Sequence, residues 1–237
     1  MNQQEEHLQS DINALNTNLL LKNIGEEKLR RILALSEKEF WKKKTCSISK
    51  NSISARFHFV LSGRIKMYRM DPHSGRELTL CLLQKDDVFD VIRLLDGTVH
   101  EVFFETLDEV HLISLPLPYM LQLLDEIPEI YRNLLPYLAQ QMKYLEDYAF
   151  NLTLIDVSKR LARLLLSNVN PETNRLEIIN DISNEEIAGL IGSTRAVVNR
   201  HLQEFKAEGI LSIGRNKLEI ESLQLLLHKA YPGIPLH

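Results

Sequence analysis

Residues 183 to 202 read Ser-Asn-Glu-Glu-Ile-Ala-Gly-Leu-Ile-Gly-Ser-Thr-Arg-Ala-Val-Val-Asn-Arg-His-Leu, two helix starts with one glycine-marked reversal between them. Ser183 and Glu186 form a capping-box pair, in which the serine oxygen accepts the glutamate amide and the carboxylate returns to the serine amide. Ser193 is placed to cap the second helix. Gly192 lies where the chain must reverse, and glycine allows the positive φ of a tight helix crossing. Ile187, Leu190 and Ile191 give the first helix an apolar face, with Ala188 small at the crossing. In the second helix Val197 or Val198 turns inward with Leu202, leaving Thr194, Arg195, Ala196, Asn199, Arg200 and Gln203 outward. The stretch is constrained to a helix-turn-helix.

That outward set suits a DNA major groove. Arginine donates two hydrogen bonds to guanine O6 and N7, Asn or Gln pairs with adenine, and Ala or Thr touches the thymine methyl. Arg195, Ala196, Asn199, Arg200 and Gln203 are therefore candidate base readers. Arg195 and Arg200 stand about one and a half helical turns apart, enough to reach separate base pairs from a tilted helix. Ser193 and Thr194, at the amino end, are candidate phosphate contacts. Downstream, Glu208-Gly-Ile-Leu-Ser-Ile-Gly-Arg-Asn-Lys-Leu-Glu-Ile reads as strand, cationic turn and strand, a wing whose Arg215 and Lys217 can meet the phosphate backbone. A net charge of −4 and a pI near 6.1 give no global signal for nucleic acid, so any DNA site must be local.

The chain's 237 residues, 44% of them apolar, are enough for more than one core. Leu15, Leu19, Ile24, Leu29, Ile32 and Leu33 recur at loosely helical spacing, with the first seventeen residues expected as an exposed helix. From Phe40 the texture changes to short stretches rich in β-branched and aromatic residues, among them Arg56-Phe-His-Phe-Val-Leu and Glu77-Leu-Thr-Leu-Cys-Leu-Leu. Ser62-Gly63 and Asp71-Pro-His-Ser-Gly75 supply the turns, and the pattern predicts a small barrel or sandwich. After Pro116 helices return, the longest from about Pro128 to Leu152, with Pro136 expected to kink or interrupt it. Leu138, Met142, Leu145, Ala149 and Leu152 form a seam along it, with Gln141 and Tyr148 as neighbouring alternatives. That seam either meets a second copy of the chain or packs on its own β domain. No run approaches the ~20 apolar residues of a membrane span, and Met1-Asn-Gln-Gln-Glu-Glu lacks the basic-then-apolar order of a signal peptide, so the chain is expected in the cytoplasm.

From about Asn18 to Ile220 the chain resembles the CRP/FNR (catabolite activator and fumarate-nitrate regulator) family of bacterial transcription regulators. The most specific segment is Gly192-Ser-Thr-Arg-Ala-Val-Val-Asn-Arg, supported by the Asp71-Pro-His-Ser-Gly-Arg-Glu hairpin and Gln84-Lys-Asp-Asp-Val-Phe. The resemblance implies an α+β chain: a helical extension over residues 1–20, a cyclic-nucleotide-binding-like β-roll over 21–118, helices including a dimerisation helix over 119–153, and a winged helix-turn-helix over 154–237. It implies double-stranded DNA and a second copy of the chain as partners, a palindromic operator, and RNA polymerase as a further candidate partner, with no membrane. Arg195 and Arg200 match the family's base-reading arginines. Ala196 stands where many members carry a glutamate that accepts from cytosine N4, so the common half-site does not carry over unchanged.

The effector is less defined. Nucleotide-binding members carry a Gly-Glu-Leu segment and an Arg-Ser or Arg-Thr pair, whereas the corresponding stretch here is Asp90-Val-Ile-Arg-Leu-Leu-Asp-Gly-Thr-Val-His-Glu. Arg93 alone does not make a cyclic-phosphate site, which argues against cyclic AMP and cyclic GMP. Two cysteines, Cys46 and Cys81, are too few for an iron-sulfur cluster. Haem stays open, with His58, His73, His100, His111, Cys46 and Cys81 as axial ligands by residue type alone. The sequence has no phosphate loop, GxSxG elbow, HExxH or His-x-His pair, which argues against an enzyme. A helix-turn-helix that has become an interaction module without DNA binding is the remaining alternative.

Overall fold

The computed structural model describes residues 3–48, 55–98, 101–170, 172–214 and 217–233. Contacts divide the chain into two compact units, one running to Lys143 and one from Tyr144 onward, with Glu77–Thr79 counted in the second.

In the first unit, α1 (Gln3–Thr17) and α2 (Glu26–Ala34) precede β1 (Glu37–Trp41), β2 (Cys46–Ile48), β3 (Arg56–Ser62), β4 (Ile65–Met70), β5 (Glu77–Leu83), β6 (Val88–Phe89), α3 (Val91–Asp96), β7 (Phe103–Thr106) and β8 (Val110–Pro116). Then come α4 (Leu117–Glu126) and α5 (Pro128–Leu154). The strands form two four-stranded sheets, ordered β1-β8-β3-β6 and β2-β7-β4-β5, which make the β-roll. Phe57 and Phe59 of β3 pack with Ile113 and Leu115 of β8 against the helices, in a cluster holding Leu15, Leu29, Met120 and Leu134. The intervening Val60 and Leu112 face inward with Phe89 and Phe104. Both faces of β3 are thus buried, with His58 and Val60 on the face opposite Phe57 and Phe59.

Two expectations need correction. Helix α1 is not simply exposed, because Ile12 and Leu15 are buried in the main core. It is further tied down where Thr17 Oγ1 donates to Asp86 Oδ1 at 2.6 Å and buried Asn18 donates through Nδ2 to the Asp86 carbonyl at 2.8 Å. Pro136 does not interrupt α5. A mid-helix proline costs about 3 kcal/mol. Ile130, Leu134 and Tyr137, all buried around it, offset that at roughly 1.5–3 kcal/mol for each fully buried aliphatic chain.

The second unit contains α6 (Val157–Asn168), β9 (Val169–Asn170), β10 (Arg175–Leu176), α7 (Asn184–Leu190), α8 (Arg195–Ala207), β11 (Leu211–Gly214), β12 (Lys217–Ile220) and α9 (Leu223–Ala230). The expected wing is the β11–β12 hairpin, extended into a four-stranded sheet, β11-β12-β10-β9, by two strands too short to show in the sequence pattern. Leu161, Leu165, Ile187, Val198, Leu202, Phe205 and Leu226 are buried in this unit. Among the described residues no helix is long and apolar enough to cross a membrane.

Candidate nucleic-acid interface

Helix α7 starts at Ser183 with the expected capping box: Ser183 Oγ accepts the Glu186 amide at 3.2 Å, and the Ser183 amide donates to Glu186 Oε2 at 2.5 Å. Past the C-cap Ile191 the chain reverses at Gly192, φ +59°, with the Ser193 amide reaching back to the Ala188 carbonyl at 2.9 Å. The positive φ favours glycine at this position, while an added Cβ would lie 2.6 Å from Leu152 Cδ2, a side-chain end that can turn aside. The cap of α8 is Thr194, not Ser193, with its oxygen accepting the Val197 amide at 3.5 Å. Ser193 belongs to the turn, its amide reaching back to Ala188, and Thr194, in the extended conformation, takes the cap position.

Val198, Leu202 and Phe205 bury the inner face of α8, leaving Arg195, Ala196, Asn199, Arg200 and Gln203 exposed together. Arg195, Asn199 and Gln203 line an open cleft of about 550 Å³ with Asn184 at the start of α7 and Lys217 of the wing. Lys217 lies 2.5 Å from Glu219, an ion pair that holds the glutamate carboxyl below its usual range. Arg215 lies outside the described residues. Asn184, which sequence reasoning missed, donates through Nδ2 to Asn199 Oδ1. A bidentate Asn–adenine pair needs both amide atoms, so that bond must open if Asn199 reads adenine. His201 and Glu204 were likewise missed, although Arg200 with Glu204 is an i,i+4 pair visible in the sequence.

On α5, Met142 and Leu145 are 65% and 52% exposed, and Ala149 is also exposed. Leu138 is partly buried against its own core, and Leu152 is half-buried beside Gly192. Leu135, 65% exposed, was missed. It stands one heptad before Met142, which stands one before Ala149, while Leu138, Leu145 and Leu152 form the second row at the same period.

The axial-ligand candidates are scattered. His58 is fully buried, with its ring parallel to Phe89 at 4.3 Å, Nδ1 3.3 Å from Asp90 and Nε2 3.7 Å from Glu39. Both edges of that imidazole face carboxylates, so neither nitrogen has an open direction toward iron. His73 and His111 are exposed, Cys46 is exposed, and His100 lies outside the described residues. Burial pushes the Cys81 thiol up to about 12, away from the thiolate that binds metal. Among the described residues no group of three or more His, Cys, Asp or Glu is placed to hold a metal ion.

Residues 38–126 match the cyclic nucleotide-binding domain, and residues 159–228 match the Crp-like helix-turn-helix domain. The chain is 30% identical to the global nitrogen regulator of Nostoc sp. over 171 residues, covering 70% of this chain and 76% of that protein. It is 27% identical to the CRP-like cAMP-activated global transcriptional regulator of Mycobacterium tuberculosis, over 74% of this chain and 80% of that one. Its fold is similar to the c-di-GMP responsive global regulator CLP of Xanthomonas campestris, with a TM-score of 0.72 at 20% identity over 84% of this chain and 100% of that one.

Proposed function

We propose, because the chain belongs to the CRP/FNR family of transcription regulators, that it acts as a homodimer on an imperfectly palindromic operator, with α8 of each copy in a major groove. The observation that carries this reading is the joint exposure of Arg195, Asn199 and Gln203 around one cleft with the wing cation Lys217. Arg195 and Arg200 are the guanine readers, Ala196 a contact to a thymine methyl, and Asn199 and Gln203 the adenine-compatible amides. Thr194, Ser193, Arg215 and Lys217 meet phosphate and set the register. The two heptad rows on α5 support pairing of two copies, which would set the recognition helices about one DNA turn apart.

The β-roll is the sensing part, and its signal is not cyclic AMP or cyclic GMP. Asp90 stands in the Gly-Glu-Leu position and is turned toward buried His58 rather than capping α3, which supports a signal other than a cyclic nucleotide. A signal bound there acts only by favouring the DNA-competent arrangement over the other.

The test is operator selection from a random duplex library, followed by two substitutions. Arg200→Ala should cost about 1–3 kcal/mol on the selected operator and relax base choice at one position, whereas Lys217→Ala should weaken binding to all sequences alike. Uniform weakening by both removes Arg200 from the base readers.

A further inference from the structure

Arg200 is not isolated on α8. Its Nη2 lies 3.4 Å from His201 Nε2, and its Nε lies 3.7 Å from Glu204 Oε1. His201 Nδ1 lies 2.6 Å from Glu204 Oε2, so one imidazole meets the carboxylate with one edge and the guanidinium with the other. The imidazole is held in place, its side chain 13% exposed against 64% for Arg200. With the proton on Nδ1 donated to Glu204, Nε2 presents a lone pair, and a guanidinium has only donors to offer it. A second proton on the ring would set two donors and two positive charges face to face.

We propose that His201 is a positioning residue for Arg200. The neutral imidazole, locked in one tautomer by Glu204, orients the guanidinium toward the bases. A second proton on the ring breaks that orientation and lowers sequence discrimination. The inference rests on Arg200 being a base reader.

The surrounding charges leave this triad intact. The hydrogen bond with His201 is the main reason the Glu204 carboxyl titrates below its ordinary range, with Arg200 and Lys229 adding to it. From α9, Lys229 is bonded to Glu208 at 2.7 Å. From α7, Glu186 is turned back to the Ser183 amide, while Glu185 lines the cleft. From α6, Arg160 donates to the Leu152 and Gly192 carbonyls. Strand β11 brings no charged side chain.

A proton on His201 also adds a positive charge that favours phosphate in any sequence, so affinity alone is a poor readout. The informative quantity is the ratio of affinities for the selected operator and for a scrambled duplex of equal composition, measured on the full chain at fixed salt at pH 7.5 and 5.5. The wild-type ratio should fall several-fold at the lower pH. His201→Gln, whose Oε1 accepts from Arg200 without titrating, should keep a near-wild-type ratio that is flat with pH. His201→Leu should discriminate poorly at both. Wild-type discrimination by a folded His201→Leu protein overturns the proposal. So does a wild-type pH slope in His201→Gln, which decides the matter even if the leucine variant misfolds. Arg200→Ala keeps the two ideas apart. If it discriminates like wild type, the base-reader assignment fails; if it does not while the His201 variants do, only the positioning role fails.

Discussion

Replacing Asp87 with asparagine tests how burial and charge are balanced in the β-roll. Asp87 is partly buried at the β5–β6 turn, where its Oδ2 accepts the Gln84 amide at 2.8 Å. Burial pushes its carboxyl up from 3.8 to about 6, opposed by the Gln84 bond and assisted by the charge of Asp86. Between those values the folded chain holds a proton that the unfolded chain has released, so stability falls as pH rises through the window. Above it, the gap from 3.8 to about 6, at ~1.36 kcal/mol per pH unit, makes the ionised side chain cost about 3 kcal/mol. At pH 5, about one unit below the folded value, roughly half of that is recovered. Asparagine keeps an acceptor for the Gln84 amide and carries no charge. Asp87→Asn should therefore be more stable than wild type by about 2–3 kcal/mol at pH 7.5, an advantage that roughly halves at pH 5. Trp41, the single tryptophan, lies in β1 of the same unit with its ring 6.2 Å from Phe89, so its fluorescence during urea unfolding reports on this unit. A lower urea midpoint for Asp87→Asn at pH 7.5, or a difference between the two proteins that does not change with pH, would refute the reasoning.

Three further outcomes are expected. Met142→Asp combined with Leu145→Asp places two charges in the proposed seam and should leave a folded chain that sediments as a monomer; an unchanged dimer would move the interface elsewhere. Gly192→Ala combines a φ of +59° with a Cβ beside Leu152, and should lower the unfolding free energy of the second unit by about 1–2 kcal/mol in chemical denaturation. Ala196→Glu should change the base selected at one position of each half-site toward the pair presenting cytosine N4, at a cost of about 1–3 kcal/mol on the original operator; an unchanged selected sequence would show that position 196 does not face a base.

The winged helix-turn-helix was legible because its determinants are local. Ser183 and Glu186 lie within one turn, Gly192 marks the reversal, and the inner and outer faces of α8 follow the helical period. The shift of the cap from Ser193 to Thr194 was not legible, since both are capping residue types and only the length of the turn places the helix start at one rather than the other. The same distinction separates the histidines. His58, His73 and His111 are alike in sequence, yet the fold buries the first between carboxylates and leaves the others in solvent.

Legible in the residues themselves was what rests on neighbours a few positions apart: the order of the longer helices and strands, the Ser183–Glu186 capping box, the reversal at Gly192, the periodic face of α8 and the seam from Leu138 to Leu152 on α5. That Pro136 stays within a continuous helix, that α1 contributes Ile12 and Leu15 to the core, and that Asn184 meets Asn199 was settled by folding. Each of these outcomes turns on contacts between segments distant in the chain, or on burial strong enough to outweigh a local preference, and neither is written in the spacing of residues along one element.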